Sequence, residues 1–176
     1  ARCTGPRGRI HRRQSLSDLK PRQRIERAAD MKARGNRAFA SRDFAKATRR
    51  YGGGIDAAAK DLEPDLDEEA IKERRALASA LYLNRAAARL ELKEFKGALS
   101  DCDEVLEGEP LHIKALYRRG RCCLEMDDWP AAKKAFASVL EVDATNKDAR
   151  RGLERVRGAG RGQKAWDRAR CGGGAG

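Results

Sequence analysis

Leu81-Tyr-Leu-Asn-Arg-Ala-Ala-Ala-Arg-Leu90 and Ala115-Leu-Tyr-Arg-Arg-Gly-Arg-Cys-Cys-Leu124 are two copies of one pattern. Laid over each other they bring Ala86 onto Gly120. Further along, Phe95 falls on Trp129, Ala98 on Ala132 and Pro110 on Ala144, every pair 34 residues apart. A third copy stands upstream in Met31, Gly35, Asn36, Phe44, Ala47 and Tyr51, with Ala47 lying 51 residues before Ala98. The surplus of 17 residues over the period is an insert, placed at residues 62–78. A fixed period of this length marks stacked helical units, none of which can bury its apolar face alone. The small residues have a packing reason. Gly35, Ala86 and Gly120 lie on the first helix of each unit, where its partner crosses, and Ala47, Ala98 and Ala132 lie on the second. Tyr51, Cys102 and Phe136 then fill the space toward the next unit.

The predicted architecture is all-α: repeats at about 28–61, 79–112 and 113–146, then a capping helix over 147–157 with Ala149, Leu153 and Val156 on one face. Abundant alanine and few aromatics fit that class. Asp43 and Asp128 stand where they can cap the second helices of repeats one and three, and Pro130 falls in a first turn, where proline is tolerated. Thr145 or Asn146 is placed to cap the last helix. Gly52-Gly53-Gly54 interrupts the second helix of repeat one and is expected to bend, fray or shorten it, since each glycine costs about 1 kcal/mol relative to alanine. The insert opens with a turn at Pro64. Its second half, acidic early and basic late as the helix dipole favours, is expected to extend the first helix of repeat two backwards. The helical domain is bounded at 23–157. Residues 1–22 and 158–176, rich in Arg and Gly with little to bury, are expected to be disordered.

A 34-residue period of paired helices with these small residues resembles the tetratricopeptide (TPR) family. The resemblance implies a concave groove lined by the first helix of each repeat. Within it, Lys32-Ala-Arg-Gly-Asn36, Asn84-Arg85 and Lys114-Ala-Leu-Tyr-Arg118-Arg-Gly120 are similar to the two-carboxylate clamp of co-chaperone TPR domains. By that resemblance Lys32, Asn36, Asn84, Lys114 and Arg118 form the peptide site. The ligand it implies is the C-terminal Glu-Glu-Val-Asp peptide of heat-shock protein 90 or 70. The chemistry suits it: lysine is a point charge, arginine a planar fork, and asparagine a neutral donor, all suited to carboxylates. Gln23-Arg-Ile-Glu-Arg-Ala-Ala-Asp-Met-Lys32, with the long insert after repeat one, further resembles the C-terminal TPR region of large FKBP-type peptidyl-prolyl isomerases.

The net charge of +12 is unevenly spread. Residues 1–27 carry nine basic and two acidic side chains, residues 150–176 eight and two, and residues 28–149 twenty-two and twenty-three. The core is therefore not read as a nucleic-acid platform. The competing reading is a TPR scaffold whose basic tails bind RNA, an acidic protein or a membrane surface. No apolar run is long enough to span a membrane. Cys3, Cys102, Cys122, Cys123 and Cys171 form no C-x-x-C, and with only His11 and His112 beside them no metal site is expected. Those in helical patterns are read as small core side chains, and an odd count suits a reducing compartment, cytoplasmic or nuclear. No nucleophile–base set and no phosphate-cradling loop is present, so neither catalysis nor a cofactor is expected of this chain. Arg12-Arg13-Gln14-Ser15 has the form that basophilic kinases read.

Overall fold

The computed structural model describes residues 15–59 and 66–171, with side chains described as far as residue 159. Within them seven α-helices follow one another: α1 (Pro21–Ala40), α2 (Phe44–Ala57), α3 (Glu68–Glu91), α4 (Phe95–Gly108), α5 (Ile113–Glu125), α6 (Trp129–Val142) and α7 (Lys147–Cys171). A short 3-10 turn, Leu16–Asp18, precedes them. Each helix packs on its chain neighbours, and α1 also meets α3, α3 meets α5 and α5 meets α7. The odd-numbered helices thus form one layer and α2, α4 and α6 a second. The all-α expectation holds, as does the 34-residue register.

The link inside each repeat is one motif used three times. Arg42, Lys93 and Asp127 have φ of 60°, 60° and 61°, left-handed values that end the first helix. The next residue's N–H returns to the carbonyl five positions back: Asp43 to Ala38, Glu94 to Arg89 and Asp128 to Cys123, all at 2.9 Å. This is a Schellman closure, satisfying carbonyls the helix end would leave open. The same residue then starts the second helix. Asp43 accepts from the Lys46 N–H at 3.0 Å and Asp128 from the Ala131 N–H at 3.1 Å. Glu94, one methylene longer, makes no such cap. Asn146 rather than Thr145 caps α7, accepting from the Ala149 N–H at 3.0 Å.

Glycine is needed where the filler is aromatic. A Cβ on Gly35 would come within 2.4 Å of the Tyr51 ring, and one on Gly120 within 2.7 Å of Phe136. In repeat two the filler is Cys102, and alanine fits at position 86 in the same buried cluster. Tyr51, Cys102 and Phe136 are all buried, as the repeat alignment requires.

Three expectations are corrected. First, α2 runs unbroken through Gly52, Gly53 and Gly54. None of them has positive φ. Burial of Ala47, Tyr51, Gly54 and Ala57 holds the helix, and packing overrides the glycine cost. A Cβ on Gly54 would strike Leu81 at 2.8 Å, whereas one on Gly53 would meet nothing within 4 Å. Gly53→Ala is therefore expected to raise stability by up to about 1 kcal/mol and Gly54→Ala to lower it. Thermal melts of the two variants check the opposite signs.

Second, the amino-terminal boundary lies earlier than 23. Pro21 opens α1, the Lys20 N–H donates to the Gln23 side chain at 3.0 Å, and Leu16 packs on the core around buried Ile25 and Ala28. Third, α7 passes residue 157 and continues to Cys171. Packing of Ala149, Leu153 and Val156 on the α6 layer anchors its first turns. Arg, Ala, Gln and Lys between the later glycines are good helix formers. The expected disorder of residues 1–14 and 172–176, and the turn at Pro64, lie outside the described residues. The insert behaves as expected from Glu68 onward, where α3 starts about three turns ahead of the repeat-two start at 79, capped by Asp67. The Ala70 N–H, and then the Arg22 guanidinium at 3.1 Å, hold the Asp67 carboxyl below the ordinary carboxylate range. The stabilisation from this cap is present above the unfolded pKa and is lost as pH falls through the lower folded value.

Candidate peptide-binding groove

The layer of α1, α3 and α5 presents two adjoining clefts that share Phe39, Ala87 and Arg118. The smaller, about 220 Å³, is also lined by Asn36, Tyr51 and Asn84. The larger, about 390 Å³, is lined by Lys114, Tyr117 and Arg121 together with Glu91 and Asp148. Four of the five residues expected from the sequence therefore meet on one groove. Lys32 is half-buried one turn before Asn36 on α1 and lines neither cleft.

Hydrogen bonds fix how these groups are presented. Asn36 Oδ1 accepts from the Tyr51 hydroxyl at 2.9 Å and from Asn84 Nδ2 at 3.1 Å. Burial pushes the Tyr51 phenol up, so it stays protonated and donates. With its oxygen used twice, Asn36 offers a ligand the N–H groups of Nδ2. Arg118 donates through one guanidinium nitrogen to the Leu83 carbonyl at 3.0 Å. Burial draws Arg118 below the ordinary arginine value, yet a guanidinium stays cationic at any relevant pH. Lys114 is exposed. The groove so offers a fixed fork, an exposed ammonium and an oriented amide: donors for carboxylates, with apolar wall from Phe39, Leu90, Ile113 and Tyr117.

Residue pattern alone assigned Tyr51 only a packing role. Its hydroxyl is the group that orients Asn36, a contact 15 residues away that only the helix crossing makes. Arg121, one turn beyond Tyr117 on α5, was also not anticipated, although its i+3 spacing from Arg118 puts it on the same side. The cysteines behave as core. Cys102, Cys122 and Cys123 are buried, and burial pushes the Cys122 thiol up to about 12.

The tetratricopeptide-repeat family profile matches residues 89–156, which span the end of α3, all of α4, α5 and α6, and the start of α7. The described helices form a TPR domain. Sperm-associated antigen 1 of Rattus norvegicus is 34% identical over 126 residues, 72% of this chain and 13% of that protein. The chain thus spans about an eighth of that relative's length. Among solved structures, the C-terminal TPR-containing domain of a Plasmodium falciparum FK506-binding protein superposes with a TM-score of 0.78. The match covers 85% of this chain and 99% of that one at 22% identity, which shows the fold alone. The first TPR of Spaghetti (RPAP3), bound to HSP90 peptide SRMEEVD, is 28% identical with a TM-score of 0.63, covering 77% of this chain and 94% of that one. TPR domains are protein–protein interaction modules, and this one resembles those of co-chaperones.

Proposed function

We propose that this TPR domain binds the free C-terminus of an acidic peptide of the Glu-Glu-Val-Asp kind, carried by heat-shock protein 90 or 70. The observation that carries the reading is the meeting of Asn36, Asn84, Lys114 and Arg118 on one groove. A C-terminal Asp presents two carboxylates on one residue. Each can accept from Lys114, Arg118 or the Asn36 amide, and Lys32 extends the same face of α1 by one turn. The RPAP3 domain bound to an HSP90 peptide, at 28% identity, supports the choice of ligand. Hydrogen bonds to charged groups contribute roughly 1.5–3 kcal/mol each, and association costs several kcal/mol, so the affinity is expected to be on the order of micromolar.

In the same proposal the domain works in the cytoplasm as part of a longer co-chaperone, and the FKBP-type isomerase is one such parent; no described helix is long and apolar enough to cross a membrane. Calorimetric titration tests the binding claim. A peptide ending Glu-Glu-Val-Asp is expected to bind at least about tenfold more tightly as the free acid than as the C-terminal amide, with a shallow salt dependence. Equal affinity of acid and amide, with a steep salt dependence, would remove the groove from the account and move binding to the basic flanks.

A further inference from the structure

The near-neutral balance of residues 28–149 conceals a split. Residues 1–59 hold sixteen basic and five acidic side chains, whereas residues 60–149 hold fifteen and twenty. The excess therefore does not stop at the amino-terminal flank but continues into α1 and α2. In repeats two and three the arginines between helices are neutralised internally: Arg85 and Arg89 by Asp101, Arg119 by Asp103. On α2, Lys46, Arg49 and Arg50 have no ion-pair partner among the described residues.

These three side chains and Gly53 stand at i, i+3, i+4 and i+7, one stripe of the helix. With Met31 of α1 and Asp43 they line an open cleft of about 560 Å³. The Asp43 carboxylate is the only acidic group there, and it is engaged in capping α2. The cleft shares no lining residue with the peptide groove.

We propose that this outer face of the first helix pair is a second binding surface, which takes the phosphodiester backbone of a nucleic acid. Three features select that partner. Arginine forks and a lysine match phosphate oxygens, and Gly53, with open space where a side chain would stand, lets a backbone approach closely. A protein partner would need an apolar anchor at the centre of the interface, and Met31 is the sole large apolar side chain lining this cleft. A membrane surface would call for exposed apolar residues to insert. Among the described residues the exposed large hydrophobics are Leu111, in the link between α4 and α5, and Val142, at the end of α6, and neither lines this cleft. Binding of this kind is electrostatic and indifferent to base sequence. The arginines of residues 2–13 continue the same charge along the chain.

The test is fluorescence anisotropy with a labelled RNA hairpin of mixed sequence, titrated with the full chain across a salt series. The variant is K46Q/R49Q/R50Q, which keeps good helix formers at all three positions. The wild type is expected to bind at low salt. The variant is expected to lose at least about tenfold in affinity at low salt, and its slope of log K against log salt to become shallower by about 2 to 3, for three lost phosphate contacts. Binding of the Glu-Glu-Val-Asp peptide is expected to be unchanged in the variant, which shows the fold intact and separates this surface from the groove. Wild-type RNA affinity and slope in the variant would overturn the proposal, as would absence of RNA binding by the wild type at low salt. Polyglutamate of equal charge competing as well as unlabelled RNA would also overturn it, since the partner would then be an acidic polypeptide.

Discussion

Arg118→Glu is expected to abolish binding of the Glu-Glu-Val-Asp peptide, and Lys114→Ala to weaken it by roughly ten- to a hundredfold, the equivalent of one charge-assisted hydrogen bond of about 1.5–3 kcal/mol. The two differ for a structural reason. Lys114 is exposed and makes no contact that holds the fold, so its loss is felt only by the ligand. Arg118 is half-buried, lines both clefts and is tied to the Leu83 carbonyl at 3.0 Å. A glutamate there removes the fork and sets a negative charge against the ligand's own. It is also expected to lower the melting temperature slightly, so its melt is measured beside the titration. Arg118→Lys separates charge from shape: a point charge keeps the attraction but loses the bidentate geometry, and intermediate affinity is expected. Normal binding by Arg118→Glu would end the groove proposal whatever Lys114→Ala did.

Most of the fold was legible because repetition tests itself. Ala86 over Gly120 and Ala98 over Ala132 are constraints on helix approach, and such constraints leave a mark in one sequence. The proposed clamp positions were read from their resemblance to the family's motif, in which each stands at a fixed offset from a packing glycine or alanine. Contacts that do not repeat were not legible. Tyr51 to Asn36 and Arg118 to Leu83 depend on how two helices cross, which no spacing encodes. The glycine run misled because propensity was weighed without knowing that Gly54 lies beneath Leu81. There the missing side chain is the condition for α2 and α3 to meet. The end of α7 misled in the same direction, since glycines spaced among arginine and alanine do not stop a helix already anchored by packing. Average charge over residues 28–149 hid the basic first repeat, because a sum over a domain discards where its charges lie.

Asp101→Asn is expected to cost about 3 kcal/mol, near the lower end of the roughly 3–5 kcal/mol for breaking a buried ion pair, and so a large share of a net stability of about 5–15 kcal/mol. Asp101 is 1% exposed. Its Oδ1 accepts from Arg85 at 2.7 Å and its Oδ2 lies 2.8 Å from Arg89, so one carboxylate joins two turns of α3 to α4. Both arginines keep some access to water, at 18% and 22% side-chain exposure, which holds the cost down. An amide would leave two guanidinium groups facing one acceptor oxygen and an N–H₂ that neither can use. Repeat three supplies the control. Arg119 lies 34 residues after Arg85 and pairs with Asp103 at 2.8 Å. That carboxylate is 48% exposed, and Ala135 stands where the repeat would place a second Asp101. Exposed pairs are typically worth about 0–1 kcal/mol, so Asp103→Asn is expected to be nearly neutral. Urea unfolding of both variants gives the comparison: a lower midpoint for Asp101→Asn with an unchanged slope, and little shift for Asp103→Asn. Equal shifts would mean that burial does not set the strength of these pairs. Asn84 adjoins Arg85 on α3, so a loosened α3–α4 joint is also expected to blunt peptide binding in Asp101→Asn while leaving it intact in Asp103→Asn.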